Sequence, residues 1–468
     1  MGVILLIDFG STYTKIRAVD LEKEEVVGSC QAPSTVDTDM TIGLQAAFDA
    51  LLAQTGVGNT DIEGKLACSS AAGGLRLVAS GLVPRLTTEA AKRAALGAGA
   101  KVIGVYSYQL TPKEIAELEQ KRPDLVLLVG GTDGGNTEVI LHNARMLANS
   151  DLVCPIVVAG NKVAAEEVEH ILHTAGKYVA VAANVMPEVS QLNVEPTRAV
   201  IREMFMRRIT HGKGLNKAER LVGSIIMPTP MAVLRGAALL AQGTPEEAGL
   251  GDLIVVDVGG ATTDVDSLTE GNPTQPGVVA KGLPEPYAKR TVEGDLGIRY
   301  SAPHILEIAG EKRLRENLMA RDEGLAGDLD LGAKLSYLSD HIDFVPQTQH
   351  DSHLDVALAR SSVEIAMQRH AGVIETCYLP SGTVYLQHGK DLTQVKRVIG
   401  TGGIFSYGQH PRWILEGTLY SQREPLSLRP KAPEFFIDER YLLYAIGLLA
   451  EIAPEKALRI MKKHLRKV

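Results

Sequence analysis

Apolar residues in this chain fall into short unbroken runs that end in polar, glycine-rich turns, and into longer stretches with helical spacing. The run Val-Ile-Leu-Leu-Ile at 3–7 ends at Asp8, and Leu-Ile-Val-Val at 253–256 ends at Asp257. A continuous aliphatic run of this length is what a strand buried on both faces requires. Residues 14–20 and 25–29 predict strands that continue a meander from the first turn. Residues 41–54 predict a helix that stops near Gly56 and Gly58. Further strands are expected at 66–70, 101–106, 125–129, 153–158 and 178–182, with helices at 88–96, 161–175, 198–210 and 231–242 between and after them. Thr111-Pro112-Lys113-Glu114 starts another helix, with Thr as cap, Pro in the first turn and Glu at the capping-box position. This strand–helix alternation predicts a nucleotide-type α/β lobe. Later helices are expected at 356–374, 440–452 and 454–466.

The turns at the ends of the buried runs carry the chemistry. Asp8-Phe9-Gly10-Ser11-Thr12-Tyr13-Thr14-Lys15 and Asp257-Val258-Gly259-Gly260-Ala261-Thr262-Thr263-Asp264 repeat one pattern in separate halves of the chain. An Asp at the strand end can hold Mg²⁺ through water. Small residues after it let backbone N–H groups reach phosphate oxygens. Asp and Gly are also ordinary turn formers after a strand, so each loop alone is weak and the pair is informative. A third turn, Gly400-Thr401-Gly402-Gly403, ends an aliphatic strand late in the second half, where glycines let a base and ribose lie flat on the backbone.

Three other clusters admit two readings each. Gly130-Gly131-Thr132-Asp133-Gly134-Gly135-Asn136 is either a nucleotide- or substrate-facing loop or a tight strand–helix turn. Thr291-Val292-Glu293-Gly294-Asp295-Leu296-Gly297 could face Mg²⁺ or a reacting water, though a helix cap is favoured. His350-Asp351-Ser352-His353, with Asp355 and His341 nearby, invites a metal reading, but a capped helix start explains it better.

Length and composition narrow the classes. At 468 residues, two or more domains are expected, and 243–251 is the best boundary, giving lobes at 1–245 and 246–468. The 46 glycines and 4% aromatic content suit an α/β protein full of strand–helix turns. A net charge of −8 argues against a nucleic-acid partner and against a basic membrane-surface protein. Cys30, Cys68, Cys154 and Cys377 form no metal or iron–sulfur spacing and read as reduced thiols, so a cytoplasmic location is expected. The early apolar run is too short for a signal or a membrane span. Leu6 removes the hydroxyl that myristoylation at Gly2 would want. The basic run at 462–467 reads as the complement of a helix C-terminus.

In order and sequence, the turns at Asp8, Asp257 and Gly400 resemble those of the actin-like ATPase superfamily, which includes sugar kinases, actin and DnaK-type chaperones. That resemblance implies an α/β fold of two lobes, each on a mixed five-stranded sheet flanked by helices, hinged about a cleft for Mg-ATP. More narrowly, Ala71-Ala72-Gly73-Gly74-Leu75-Arg76, the Gly130 loop and the Thr291–Gly297 segment resemble the family called MutL or GlmL. Its genes accompany adenosylcobalamin-dependent glutamate mutase and related aminomutases, and it is unrelated to mismatch repair. The resemblance implies a slow, partner-coupled ATPase that binds ATP or ADP with Mg²⁺ and reactivates such a mutase when damaged cobalamin stays bound. A homodimer is left open.

Carried onto this chain, Asp8 and Asp257 would face the magnesium ion. Backbone N–H groups of Gly10, Ser11, Thr12 and Tyr13, and of Gly259, Gly260, Ala261 and Thr262 with Thr263 beside them, would hold phosphate. Lys15 would add a cation, and Gly400, Thr401, Gly402 and Gly403 would border adenosine. Asp133, Asp264 and Glu293 are the candidates for positioning the attacking water. A small-molecule kinase of the same fold and a non-hydrolysing filament former are the competing classes.

Overall fold

In the computed structural model, residues 2–10, 13–35, 39–56, 58, 61–69, 75–210, 225–320, 329–380 and 382–468 are described, with backbone alone at 205–210 and 225–226. Ser11, Thr12 and residues 71–74 therefore lie outside the described residues. The chain divides into two compact units. One is Met1–Val233 with Gly282–Pro284 and Gly447–Glu451; the other is Leu234–Lys281, Glu285–Ile446 and Ile452–Val468.

In the first unit, β1 (Val3–Phe9), β2 (Tyr13–Asp20) and β3 (Glu25–Pro33) form an antiparallel meander, and α1 (Met40–Thr55) precedes β4 (Ile62–Ser69), which runs parallel to β1. Every residue of β1 is buried, which accounts for its unbroken apolar run. Leu44, Ala47 and Leu51 of α1 pack on Leu5, Ile7 and Ile16.

After β4 the chain leaves this sheet. The alternation β5 (Arg76–Gly81), α2 (Thr87–Gly97), β6 (Lys101–Ser107), α3 (Pro112–Lys121), β7 (Leu125–Leu128), α4 (Glu138–Ala148), β8 (Ile156–Val158), α5 (Lys162–Thr174), β9 (Val179–Val181) and α6 (Glu195–Thr210) builds a second sheet of its own. Its order is β6-β5-β7-β8-β9 and every pairing is parallel. Alternate residues face opposite sides. Leu77, Leu125 and Leu127 meet α2 and α6, whereas Val78, Val126 and Leu128 meet α3, α4 and α5. The pattern of runs predicts a nucleotide-type α/β lobe from this alternation, and the alternation forms a sheet separate from the one that bears the Asp8 turn. It stands apart because β1 and β10 (Ile225–Pro228) already occupy both edges of β4. The first sheet is completed by β10, giving the order β10-β4-β1-β2-β3, and α7 (Thr229–Gln242) begins directly after it.

The second unit repeats that strand order. β11 (Leu253–Val258) pairs antiparallel with β12 (Thr263–Leu268); later come β13 (Val278–Ala280) and β14 (Ala288–Glu293), then α8 (Ala302–Ala309), α9 (Glu311–Met319), α10 (Leu331–Asp340) and α11 (Gln349–His370). β15 (Val373–Leu379), β16 (Gly382–His388), β17 (Arg397–Thr401), β18 (Glu434–Asp438), α12 (Pro454–His464) and β19 (Leu465–Lys467) follow, with short helices at Gly403–Tyr407, Pro411–Leu415 and Leu443–Leu449 between β17 and α12. The main sheet runs β14-β12-β11-β17-β18-β19, and β13, β16 and β15 form a small separate sheet. The buried helix α11 packs Leu354, Val356 and Leu358 into the core that holds Ile254 and Val256.

Three local readings change. The 291–297 loop begins as β14, because Thr291 pairs with Val265 in the sheet. α11 starts at Gln349 rather than 356, since Thr348 and Asp351 exchange capping-box hydrogen bonds there. That is the capped helix start the His350–His353 cluster suggested, and Asp355 is bonded to Arg299 by two contacts of 2.8 and 2.6 Å. Of the terminal basic run, Lys462 and Lys463 do sit in the last turn of α12, while Arg466 and Lys467 belong to β19, which covers the edge of β18.

Candidate nucleotide-binding turns

Asp8 is the one ionisable residue in the buried strand β1 and is 1% exposed. An ionised carboxylate in that position needs donors. Lys15, its cross-strand partner, places Nζ 3.3 Å from Oδ2, and Thr229 Oγ1 donates to Oδ1 at 2.6 Å. The thiol of Cys68, directly opposite on β4, lies 3.7 Å from Oδ1. Burial pushes that thiol well above its ordinary range. The turn closes by Gly10 N–H donating to Tyr13 O at 3.1 Å, and a Cβ on Gly10 would lie 2.6 Å from that oxygen.

The β11–β12 turn closes the same way, Gly259 N–H donating to Thr262 O at 2.9 Å. Ile298 N–H donates to Gly259 O, Arg299 and Tyr300 N–H both donate to Gly260 O, and Ser301 Oγ donates to Ala261 O. Gly297 packs so close that a Cβ there would sit 2.3 Å from the Ala261 backbone. Every carbonyl from Gly259 to Ala261 is thus turned toward the 297–301 segment. The N–H groups of Gly260, Ala261 and Thr262 donate to nothing among the described residues, and these residues are half-exposed. Consecutive free N–H groups on a turn whose carbonyls are anchored make an anion-binding concavity. Ala261 is not among the residues with positive φ, so its methyl group fits where a glycine would otherwise be needed. The Thr263 hydroxyl points inward and bonds to Leu296 O at 2.8 Å.

The carboxylates around this turn have different surroundings. Asp257 stands opposite Asp264, the register position that Lys15 has relative to Asp8 in the other sheet. Asp264 is paired with Arg290 of β14 at 2.7 Å. Asp266 is buried; desolvation pushes its carboxyl up to about 8, with Arg290 opposing and the charges of Asp264 and Asp257 adding. Glu293 and Asp295 both bind Arg369, at 2.6 and 2.8 Å. For Asp295, partial burial raises the carboxyl, but the Arg369 hydrogen bonds and charge outweigh it and hold it below the usual carboxylate range.

At the end of β17, Thr401 lies beside Asp257 in parallel register and its hydroxyl bonds to Asp438 Oδ2 at 3.1 Å. Gly402 has φ +104 and abuts Asp257. Gly400 backs onto the Phe405 ring, and Gly403 is exposed with nothing within 4 Å of an added Cβ.

The Gly130 loop is built differently. It sits at the end of β7 in the all-parallel sheet. Asp133 N–H bonds to Pro187 O, Gly134 N–H to Asn161 Oδ1 and Gly135 N–H to Thr132 O. Asp133 itself accepts from Asn184 Nδ2 at 2.9 Å and from Lys162 N–H at 3.0 Å. Those donors are spent on the turn, which matches the tight strand–helix reading. Sequence reasoning missed Thr229, Cys68, Arg290, Asp266 and Asp438; strand pairing places Cys68, Arg290 and Asp438, Thr229 follows β10 at a helix start, and Asp266 lies on β12 itself. Gly297 closes the Thr291–Gly297 motif, but its role as a brace was not legible in it.

Two sheets of one strand order, each with an Asp-then-Gly turn on its first hairpin, define the actin-like α/β class. The chain matches the family described as MutL protein over residues 4–465 and belongs to that family. It is 50% identical to Protein MutL of Clostridium tetanomorphum over all 468 residues, covering 100% of both chains. Among solved structures it is similar to a gluconate kinase from Lactobacillus acidophilus (9% identity, TM-score 0.35, covering 100% of this chain and 92% of that one). It is also similar to a glycerol dehydratase reactivase (12% identity, TM-score 0.31, 96% and 99% covered). No helix among the described residues is long and apolar enough to cross a membrane.

Proposed function

We propose that this MutL-family chain binds Mg-ATP and hydrolyses it slowly as a chaperone-like factor that reactivates an adenosylcobalamin-dependent mutase or aminomutase of the glutamate mutase type. The observation that carries the nucleotide part is the β11–β12 turn, with three successive N–H groups that donate to nothing among the described residues and with its carbonyls anchored. Such donors are preorganised for phosphate oxygens and need no rearrangement as charge builds on the γ-phosphate. The mutase part rests on family membership.

In this reading the carboxylate of Asp8, held by Lys15 and Thr229, and that of Asp257, which accepts from the Tyr441 hydroxyl at 3.5 Å, would each face magnesium through water. Among the described residues no three His, Cys, Asp or Glu side chains converge on one point. Magnesium with a nucleotide does not require such a cage, since one or two carboxylates, waters and phosphates suffice. When bound, the ion neutralises phosphate charge. Lys15 adds a cation beside Asp8, and exposed Gly403 leaves room for a flat ring. A kinase reading needs a free general base, whereas Asp264 and Glu293 are each engaged by an arginine.

The test is ATP turnover with and without a mutase inactivated by tightly bound hydroxocobalamin, and then a mutase assay after adding adenosylcobalamin. Recovery should require ATP, Mg²⁺ and both Asp8 and Asp257, and Asp8→Ala or Asp257→Ala should lower turnover at least ~100-fold. Unchanged turnover in both variants sinks the site assignment. Turnover without recovery removes the mutase and directs attention to kinase acceptors.

A further inference from the structure

We infer that Thr229 is a positioning residue that fixes the carboxylate plane of Asp8 for a hydrated magnesium ion. The inference rests on the nucleotide reading proposed for this chain. Thr229 is the first residue of α7, directly after β10. A threonine at a helix start ordinarily turns its oxygen to an unpaired N–H of the first turn. This one instead reaches past Cys68 to Asp8, and the Oγ1–Oδ1 distance of 2.6 Å is that of a charge-assisted O–H···O⁻ bond.

The hydroxyl has one proton, so it acts as donor here and its sulfur contact at 3.5 Å uses a lone pair. Asp8 and Thr229 are 1% and 8% exposed, so water does not readily substitute for the bond. With Thr229 on Oδ1 at 2.6 Å, beside the weaker Cys68 thiol contact at 3.7 Å, and Lys15 on Oδ2 at 3.3 Å, both carboxylate oxygens have protein donors and the group cannot rotate freely. The cation-facing lone pair is then set before nucleotide arrives. Without the hydroxyl, Asp8 keeps, among the described residues, the flexible Lys15 on Oδ2 and a weak thiol contact from Cys68 on Oδ1.

The measurement is equilibrium binding of a fluorescent ATP analogue, mant-ATP, in Mg²⁺ and in EDTA, on full-length chains checked by thermal melting. Wild type and Thr229→Ser should bind more tightly in Mg²⁺. Thr229→Val, matched in shape, should lose about tenfold of affinity in Mg²⁺, the scale of one hydrogen bond to a charged group, while binding in EDTA changes less than about twofold. If the valine variant does not fold, Thr229→Ala carries the same comparison. An undiminished Mg²⁺ effect in the valine or alanine variant overturns the assignment and leaves the nucleotide reading intact, as does equal loss in the serine variant. Wild type that binds no mant-ATP overturns both.

Discussion

Gly402 and Asp257 lie so close that a Cβ on the glycine would stand 2.7 Å from the Asp257 carboxylate oxygen Oδ1. Its φ of +104 is also a conformation that side chains resist. Gly402→Ala should therefore cost about 2 kcal/mol or more in urea unfolding. Gly403→Ala, into open space, should stay within about 0.5 kcal/mol of wild type. Equal effects in the two variants would refute the packing argument.

Gly297→Ala tests the brace behind the β11–β12 turn. Its Cβ would meet the Ala261 backbone at 2.3 Å, so the turn must shift. Nucleotide affinity should fall at least ~10-fold, because the N–H groups move with the carbonyls. Wild-type affinity in a folded variant would mean that the brace has no part in binding.

Asn161→Ala asks whether the Gly130 loop is scaffold. Buried Asn161 accepts from Gly134 and Val163 N–H and donates to Gly135 and Asn136 carbonyls. The substitution should cost about 2–3 kcal/mol by leaving these groups unpaired, with mant-ATP affinity of the folded protein unchanged. A selective loss of nucleotide binding would restore the ligand-facing reading.

The pH dependence of stability should carry the signature of Asp266. Its carboxyl is raised from 3.8 to about 8 in the folded chain, so the native state keeps a proton that the unfolded state releases between those values. That contribution to stability is full below about pH 4 and is lost as pH rises toward 8. Asp266→Asn should flatten this slope between pH 5 and 8, as measured by urea midpoints at successive pH values. An unaltered slope would show that Asp266 is ionised in the fold.

The buried runs at Val3 and Leu253 and the Asp-x-Gly turns were legible because a strand covered on both faces has to be apolar along its length. The same rule hid the separate parallel sheet. The runs at 125–129 and 153–158 have equally continuous apolar character, and nothing in a run states which sheet it joins. β14 was hidden for another reason. Ala288–Glu293 carries Lys289, Arg290 and Glu293, whose charges are offset by partners such as Asp264 and Arg369 from other elements. Thr229 was invisible because its partner is Asp8, at the other end of the first unit's sequence.

The excursion between β4 and β10 has a consequence during synthesis. β4 ends at Ser69 and its second neighbour begins at Ile225, so the ribosome must add residues 70–224 before that edge is paired. At ordinary elongation rates this takes on the order of 10–30 s. Throughout that interval the nascent chain displays an open strand edge on β4, the strand next to the one that bears Asp8, with Cys68 on it. The parallel sheet, whose strands lie within residues 76–181, can meanwhile close on its own contacts. Nascent chains stalled before β10 are therefore where aggregation and chaperone capture should concentrate.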